Sequence, residues 1–385
     1  MFTAVCLAVL AADPVRVETG VFGQTAAGED VASYTLTNDA GFSATLITLG
    51  ATIQALHVPD ANGETADVVL GFDDVAGYES GRNPYFGCTV GRFANRIRNA
   101  TFQLDGQTHR VTANAGPHHI HGGGAGALSK KNWTGRVGKG RNGNGVVVFT
   151  CTSPDGEEGF PGNLKTTVRY SLEADANALS ISYTATTDAP TPVNLTNHSY
   201  FNLAGHDAGA IVDHRLKVNA DSYTVWDDAR IPTGEIASVD GTPYDFRKPR
   251  PLGKRFAQTD ADGYDINYIL DENASGDPPT DDAGRAKLVV AAVALDSDSG
   301  RVMICSTTEP GVQLYTGNGL RDIPGKDGAT YQPYAGFCLE TQHYPDAINQ
   351  PDFPSPVITP EKPFESRTRY AFRVQKNAAN SDAAK

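Results

Sequence analysis

The sequence predicts an all-β fold, a large antiparallel β-sandwich, and three observations carry that expectation. Short runs of Val, Ile, Thr, Tyr and Phe recur along the chain, apolar and polar residues alternate within them, and Asx-Gly pairs separate them. The chain of 385 residues holds 40 Gly and 23 Pro but only 2 Met, so long helices find little room. Repeated antiparallel pairs of half-buried strands stack as two sheets.

Taken in order, residues 2–12 form a short apolar stretch ending near Ala11-Ala12-Asp13. It resembles the later part of a secretory signal without a basic beginning, which leaves cytoplasmic and periplasmic or secreted locations both open. Residues 31–37 and 42–58 alternate with period two, the pattern of strands with one face on a core. Thr101-Phe102-Gln103-Leu104 and Gln107-Thr108-His109-Arg110-Val111 flank Asp105-Gly106, a pair suited to the positive φ angles of a type I′ hairpin. The same logic marks Asn62-Gly63, Asp155-Gly156, Asp240-Gly241 and Asp327-Gly328 as turns. Residues 168–172 and 179–186 form a further strand pair, with Leu179, Ile181 and Tyr183 on one face.

Residues 138–145, six of whose eight residues are Gly or Asn, and the acidic residues 271–285 read as surface excursions. No internal repeat or linker-like shift divides the chain. One domain over residues 13–376 is therefore expected, with a disordered tail at 377–385.

A formal net charge of −13 and the lack of a basic stripe disfavour nucleic acid as a partner. No apolar run is long enough to cross a bilayer, so no membrane role is expected. The five cysteines are scattered without a C-x-x-C pair, which argues against a disulfide framework or a zinc site. Oligomeric state has no readable signature.

Three segments carry chemistry. Asn194-Leu195-Thr196-Asn197-His198-Ser199-Tyr200-Phe201-Asn202-Leu203 crowds hydrogen-bonding side chains around one histidine. Gly91-Arg92-Phe93-Ala94-Asn95-Arg96-Ile97 and Leu339-Glu340-Thr341-Gln342-His343-Tyr344-Pro345-Asp346 share that mixed character. Polar groups set among aromatic and aliphatic residues fit the wall of a cleft for a polar ligand better than an interior. The ligand should be rich in hydroxyls.

In this order, and from about Tyr34 to Phe372, these segments resemble those of the aldose 1-epimerases, the galactose mutarotase family. The resemblance implies a galactose mutarotase-like supersandwich and the interconversion of α and β anomers of free aldoses such as galactose and glucose. That chemistry needs a base for the anomeric hydroxyl and an acid for the ring oxygen, and no cofactor or metal. A small-molecule aldose is the implied partner.

Within the family pattern Glu340 matches the catalytic base. Alone, a strand-end carboxylate is more often solvated or paired, although Phe337-Cys338-Leu339 before it would desolvate it and raise its proton affinity. His198 matches the catalytic acid, and only histidine ordinarily titrates near neutrality. The sequons at Asn194 and Asn197 would lie inside the cleft and are discounted as glycosylation sites.

His121 matches a second active-site histidine, with glycines beside it that would let backbone approach a ligand. The competing reading pairs His119 and His121 on one strand face as metal ligands, without a third ligand at suitable spacing. Gly122-Gly123-Gly124-Ala125-Gly126 lacks the Lys-Ser/Thr of a phosphate loop. Asn95 and Arg96 match the pair that binds sugar hydroxyls, whereas Arg92 and Arg98 are expected to be surface arginines paired with acids.

Asp265 matches the aspartate that holds the sugar, and Asp260 and Asp262 read as turn residues. Gln313 matches a further sugar-contacting position, although a satisfied strand glutamine is an equal alternative. Tyr200 and Trp226 could stack on a sugar face or serve the core. A binding module without catalysis, and a metal-dependent isomerase built on His119 and His121, are the rival functions.

Overall fold

The computed structural model describes residues 14–260, 262–270, 272, 275–276, 278–280, 284 and 286–375. The signal-like stretch 1–12 and the tail 377–385 lie outside the described residues, as does much of the acidic loop 271–285. No described helix is long and apolar enough to cross a membrane.

Three antiparallel sheets build the sandwich. The first is a meander of Arg16–Gln24, Asp30–Thr37, Ser43–Ile47, Thr52–Pro59 and Thr65–Asp67 in sequence order. The largest has nine strands, in the order Thr134–Val137, Gly145–Ser153, Leu164–Leu172, Ala178–Thr187, Phe364–Val374, Arg301–Thr307, Val289–Leu295, Arg215–Val218 and Arg250–Pro251. The third, which carries the site, runs Pro232–Ser238, Ser222–Trp226, Asp265–Ile269, Gly311–Tyr315 and Cys338–Gln342.

One cluster of buried side chains joins all three sheets. Leu36 and Leu46 enter it from the first, Phe149, Val168, Ile181 and Tyr370 from the second, and Ile266, Val312, Leu314 and Leu339 from the third. Each such side chain gains about 1.5–3 kcal/mol on leaving water. The alternation in Leu164–Leu172 and Ala178–Thr187 sets this packing, with Leu179, Ile181 and Tyr183 on one buried face.

In the third sheet, period-two geometry sorts core from chemistry. Ile266, Tyr268, Val312, Leu314, Leu339 and Thr341 point toward the nine-stranded sheet, where Thr341 Oγ1 meets Thr368 Oγ1 at 2.5 Å. Asp265, Asn267, Gln313, Glu340 and Gln342 alternate with them and take the other face. Cross-strand register aligns Asn267 with Gln313 and Gln313 with Glu340.

The turns follow their side-chain chemistry. At Asp105-Gly106 both φ angles are positive, 50° and 75°, as the type I′ reading requires, and the same holds at Asp327-Gly328. At Asn62-Gly63, Asp155-Gly156 and Asp240-Gly241 only the glycine is left-handed. In the first of these, Asp60 Oδ1 accepts from the Asn62 and Glu64 amides and builds a longer loop. The alternating stretch 42–58 divides into two strands where Gly50 and Ala51 turn left-handed, a break without an Asx-Gly signal.

Candidate active site

Short backbone pairings hold the site together. Thr196–Asn197 pairs with Thr89–Val90, and His198 exchanges backbone bonds with Gly87 and Cys88, giving to Cys88 O and accepting from Gly87 N, both at 3.0 Å. Gly87 also lies against the first sheet, where its own O accepts from Ile53 N at 2.9 Å and a Cβ would lie 2.1 Å from Ile53 O. His119–Ile120 pairs with Arg96–Ile97, which brings His121 beside Asn95 and Arg96. The expected glycine beside His121 is needed for backbone rather than ligand: a Cβ on Gly122 would lie 1.8 Å from Gly91 O.

Six of the seven sequence-identified residues line one cavity of about 230 Å³: Asn95, Arg96, His121, His198, Asp265 and Glu340. That volume falls below the roughly 300–1,000 Å³ of drug-sized sites and suits one small ring. Gln313 lines instead an annex of about 20 Å³, which shares Asn95, Arg96 and Asp265 with the main cavity. Gln313 Nε2 donates to Asp265 Oδ1 at 2.6 Å, so the two act as one unit.

His198 Nε2 lies 3.6 Å from Glu340 Oε1, and both side chains are nearly sealed from solvent. The imidazole is sandwiched between the rings of Tyr200 (5.1 Å) and Tyr85 (5.8 Å), with His121 edge-on at 5.2 Å. Its Nδ1 contacts Cys338 Sγ at 3.5 Å. Aromatic walls fix the ring plane, so the Nε2 direction is set before any ligand arrives.

Electrostatics follow from burial. Glu340 is held well above the usual carboxylate range, first by desolvation and then by the Asp265 charge, with Arg96 opposing. Desolvation pushes His198 down to about 4. His121 is pushed well below its ordinary value by burial, then by the His198 and Arg96 charges. Burial thus disfavours both charged forms, the Glu340 carboxylate and the His198 imidazolium.

His121 Nδ1 accepts from the Asn95 amide at 3.3 Å, which leaves the ring proton on Nε2 as a donor. Asn95, His121 and Tyr85 all adopt left-handed backbone, φ 59°, 50° and 69°. Such strain in non-glycine residues clusters at binding sites.

The rival metal pair is not assembled. The left-handed turn at His121 breaks strand alternation, and His119 faces Thr112 O at 2.8 Å and the Phe160 ring. His121, His198 and Glu340 do offer ligand atoms within 4.8 Å of one another. A metal on His121 Nε2 would require the proton to move to Nδ1, against the Asn95 N–H, so this donor set suits hydrogen bonding better. The glycine loop's amides are also taken, with Gly124 and Gly126 donating to Glu158 at 2.9 and 2.6 Å.

Other expectations divide. Asn194 and Asn197 are buried, and their amides bond backbone carbonyls, which keeps both sequons out of reach. Arg98 pairs with Asp227 at 2.8 Å, the surface ion pair expected. Arg92 does not: it is buried, and its guanidinium bonds Ser153 Oγ and the carbonyls of Ser153, Pro154, Pro161 and Gly162. Tyr200 packs on His198, while Trp226 lines the annex with Arg230 over its ring.

Sequence reasoning missed Tyr85 and Tyr315, which line the cavity, and Asn267, which lines the annex. Tyr315 and Asn267 each lie two residues beyond an identified position, Gln313 and Asp265, and so share its strand face.

Comparison with known proteins identifies the family. The family profile described as aldose 1-epimerase matches residues 32–371. A galactose mutarotase of Bos taurus is 44% identical over 362 residues, covering 94% of this chain and 99% of that protein. An aldose 1-epimerase of Escherichia coli K12 is 34% identical over 351 residues, covering 90% and 96%. Among solved structures, an aldose epimerase homologue from C. elegans superposes with a TM-score of 0.78 at 30% identity, covering 90% of this chain and all of the other.

Proposed function

The chain belongs to the aldose 1-epimerase family and is an enzyme that interconverts aldose anomers; from that premise we propose that it acts on free aldohexoses such as galactose and glucose, with Glu340 as base and His198 as acid. Glu340 takes the proton from the anomeric hydroxyl while His198 gives one to the ring oxygen, and the bond from C1 to that oxygen breaks. Rotation about the C1–C2 bond turns the other carbonyl face toward the hydroxyl just formed. Closure with proton roles reversed yields the other anomer, and the two side chains hold one proton between them throughout.

The observation that carries this reading is the 3.6 Å approach of His198 Nε2 to Glu340 Oε1 in a cavity of monosaccharide size. Both reacting oxygens hang on one carbon, so acid and base must be neighbours. Burial also helps both: a carboxylate with raised proton affinity is a stronger base, and an imidazolium with lowered affinity is a stronger acid. Desolvation favours the neutral pair, which is the state reached when the ring opens.

The remaining side chains hold the ring. His121 donates from Nε2, and the Arg96 guanidinium and the Asn95 amide supply further donors. Asp265, braced by Gln313 Nε2, accepts from neighbouring hydroxyls. Nucleic acid and membrane have no part in this proposal, and residues 13–376 are taken to act as one folding unit.

Polarimetry of freshly dissolved α-D-galactose tests the reading. The protein should speed the decay of rotation, and Glu340→Gln should lower kcat by roughly 10²–10⁴-fold with sugar affinity spared. A spontaneous rate unchanged by the wild-type protein would leave a sugar-binding module instead.

A further inference from the structure

On the outward face of the site-bearing sheet, Asn267 is 2% exposed, yet neither its Nδ2 nor its Oδ1 has a hydrogen-bond partner among the described residues. Its cross-strand neighbour Gln313, 4% exposed, spends Nε2 on Asp265 and leaves Oε1 without a partner. Native proteins rarely leave buried amide groups unpaired, because each loses its bond to water without replacement. Three such atoms side by side indicate a partner that the described residues do not supply.

The annex these residues line measures about 20 Å³ and joins the sugar cavity through Asn95, Arg96 and Asp265. A space of roughly 10–15 Å³ admits one water-sized group, so the annex accepts a single hydroxyl and no second ring. Its position is fixed from behind: a Cβ on Gly311 would lie 2.8 Å from Asn267 Oδ1, so the amide lies close over the backbone of the next strand. No bond from the described residues sets which amide atom faces the space. A hydroxyl, both donor and acceptor, can satisfy Asn267 and Gln313 Oε1 together.

We propose that Asn267, with Gln313, reads one exocyclic hydroxyl of the bound aldose and is a specificity-determining residue of the site. This rests on the assignment of the cavity to an aldose. The hydroxyl enters the annex while the anomeric carbon stays between His198 and Glu340. Asn267 therefore contributes to ring recognition without touching the reacting atoms.

Mutarotation kinetics of Asn267→Leu test the proposal with galactose and the set of singly deoxygenated galactoses. KM for galactose should rise roughly three- to tenfold, the scale of one net hydrogen bond, with kcat changed less than twofold. One deoxygenated sugar should lose affinity in the wild type and lose less in the variant, where Gln313 Oε1 alone still meets that hydroxyl. Thermal unfolding should show no loss of stability, since leucine removes an unpaired buried amide.

An unchanged KM for galactose overturns the proposal. So does a panel in which every missing hydroxyl costs the same in both proteins, or a lowered Tm with KM intact, which would assign Asn267 to an internal water alone. Normal wild-type turnover alongside any of these sinks only Asn267's role, whereas a wild-type protein without mutarotase activity sinks the cavity's assignment.

Discussion

The two faces of the sheet that carries Glu340 are made from alternate residues of the same strands, yet they are satisfied in opposite ways. On the inner face, Tyr268 OH donates to Tyr244 O at 2.8 Å and Thr341 bonds Thr368, among Val312, Leu314 and Leu339. On the outer face, Glu340 Oε2, Gln313 Oε1 and both amide atoms of Asn267 and Gln342 have no partner among the described residues. A single step along the strand thus separates a face completed by folding from a face that, on our proposal, a ligand completes. Stability should depend on the first and turnover on the second.

The largest expected effect on the inner face is that of Leu314→Ala. It should cost about 2–5 kcal/mol of unfolding free energy through the lost contacts and the cavity left behind. Urea titration measures this, and polarimetry at a temperature where the variant stays folded should return kcat close to wild type. A large kcat loss in a fully folded variant would erase the contrast between faces.

Next in size, Asp265→Ala should raise KM by roughly 10–100-fold, the scale of hydrogen bonds to a charged acceptor, with a smaller change in kcat. It should leave the urea midpoint within the scatter of surface substitutions. An unchanged KM would remove Asp265 from the holding role.

A third effect, spread over the acid range, concerns protonation. His198 and His214 are both held down to about 4 by burial, from an ordinary 6.5, so the unfolded chain takes up protons between those values while the folded one does not. The histidines' share of stability is therefore full above about 6.5 and falls with pH toward 4, by about 1.4 kcal/mol per pH unit for each, while Glu340, held above its ordinary value, pulls the other way. In urea titrations across that window His198→Gln should remove one histidine's share of the slope, while inner-face variants keep it. An unchanged slope in His198→Gln would show that the ring is not kept neutral by folding.

Much of the fold was legible because period-two alternation is local. Leu179, Ile181 and Tyr183 declared their face in the sequence, and Asp105-Gly106 declared its turn. The break at Gly50 and Ala51 was not legible, since a left-handed alanine has no side-chain signal. Arg92 misled for a related reason: all but one of its acceptors are backbone carbonyls of a distant segment, which no spacing rule announces.

The site divides in the same way. Asn95, His121, His198, Asp265 and Glu340 lie far apart in the chain, and only family resemblance could bring them together before the structure did. Asn267 was readable by counting two residues along a strand from Asp265. Tyr85 was not, because it reaches His198 from a loop through a left-handed backbone.

The most direct measurement is a double-substitution cycle on mutarotation of α-D-galactose, comparing His198→Gln, Glu340→Gln and the two together. If both side chains hold the proton of one reaction, each single substitution should cost roughly 10²–10⁴ in kcat, and the pair should cost little more than the worse single. Losses that multiply, with each single variant retaining the other's full contribution, would contradict a shared step.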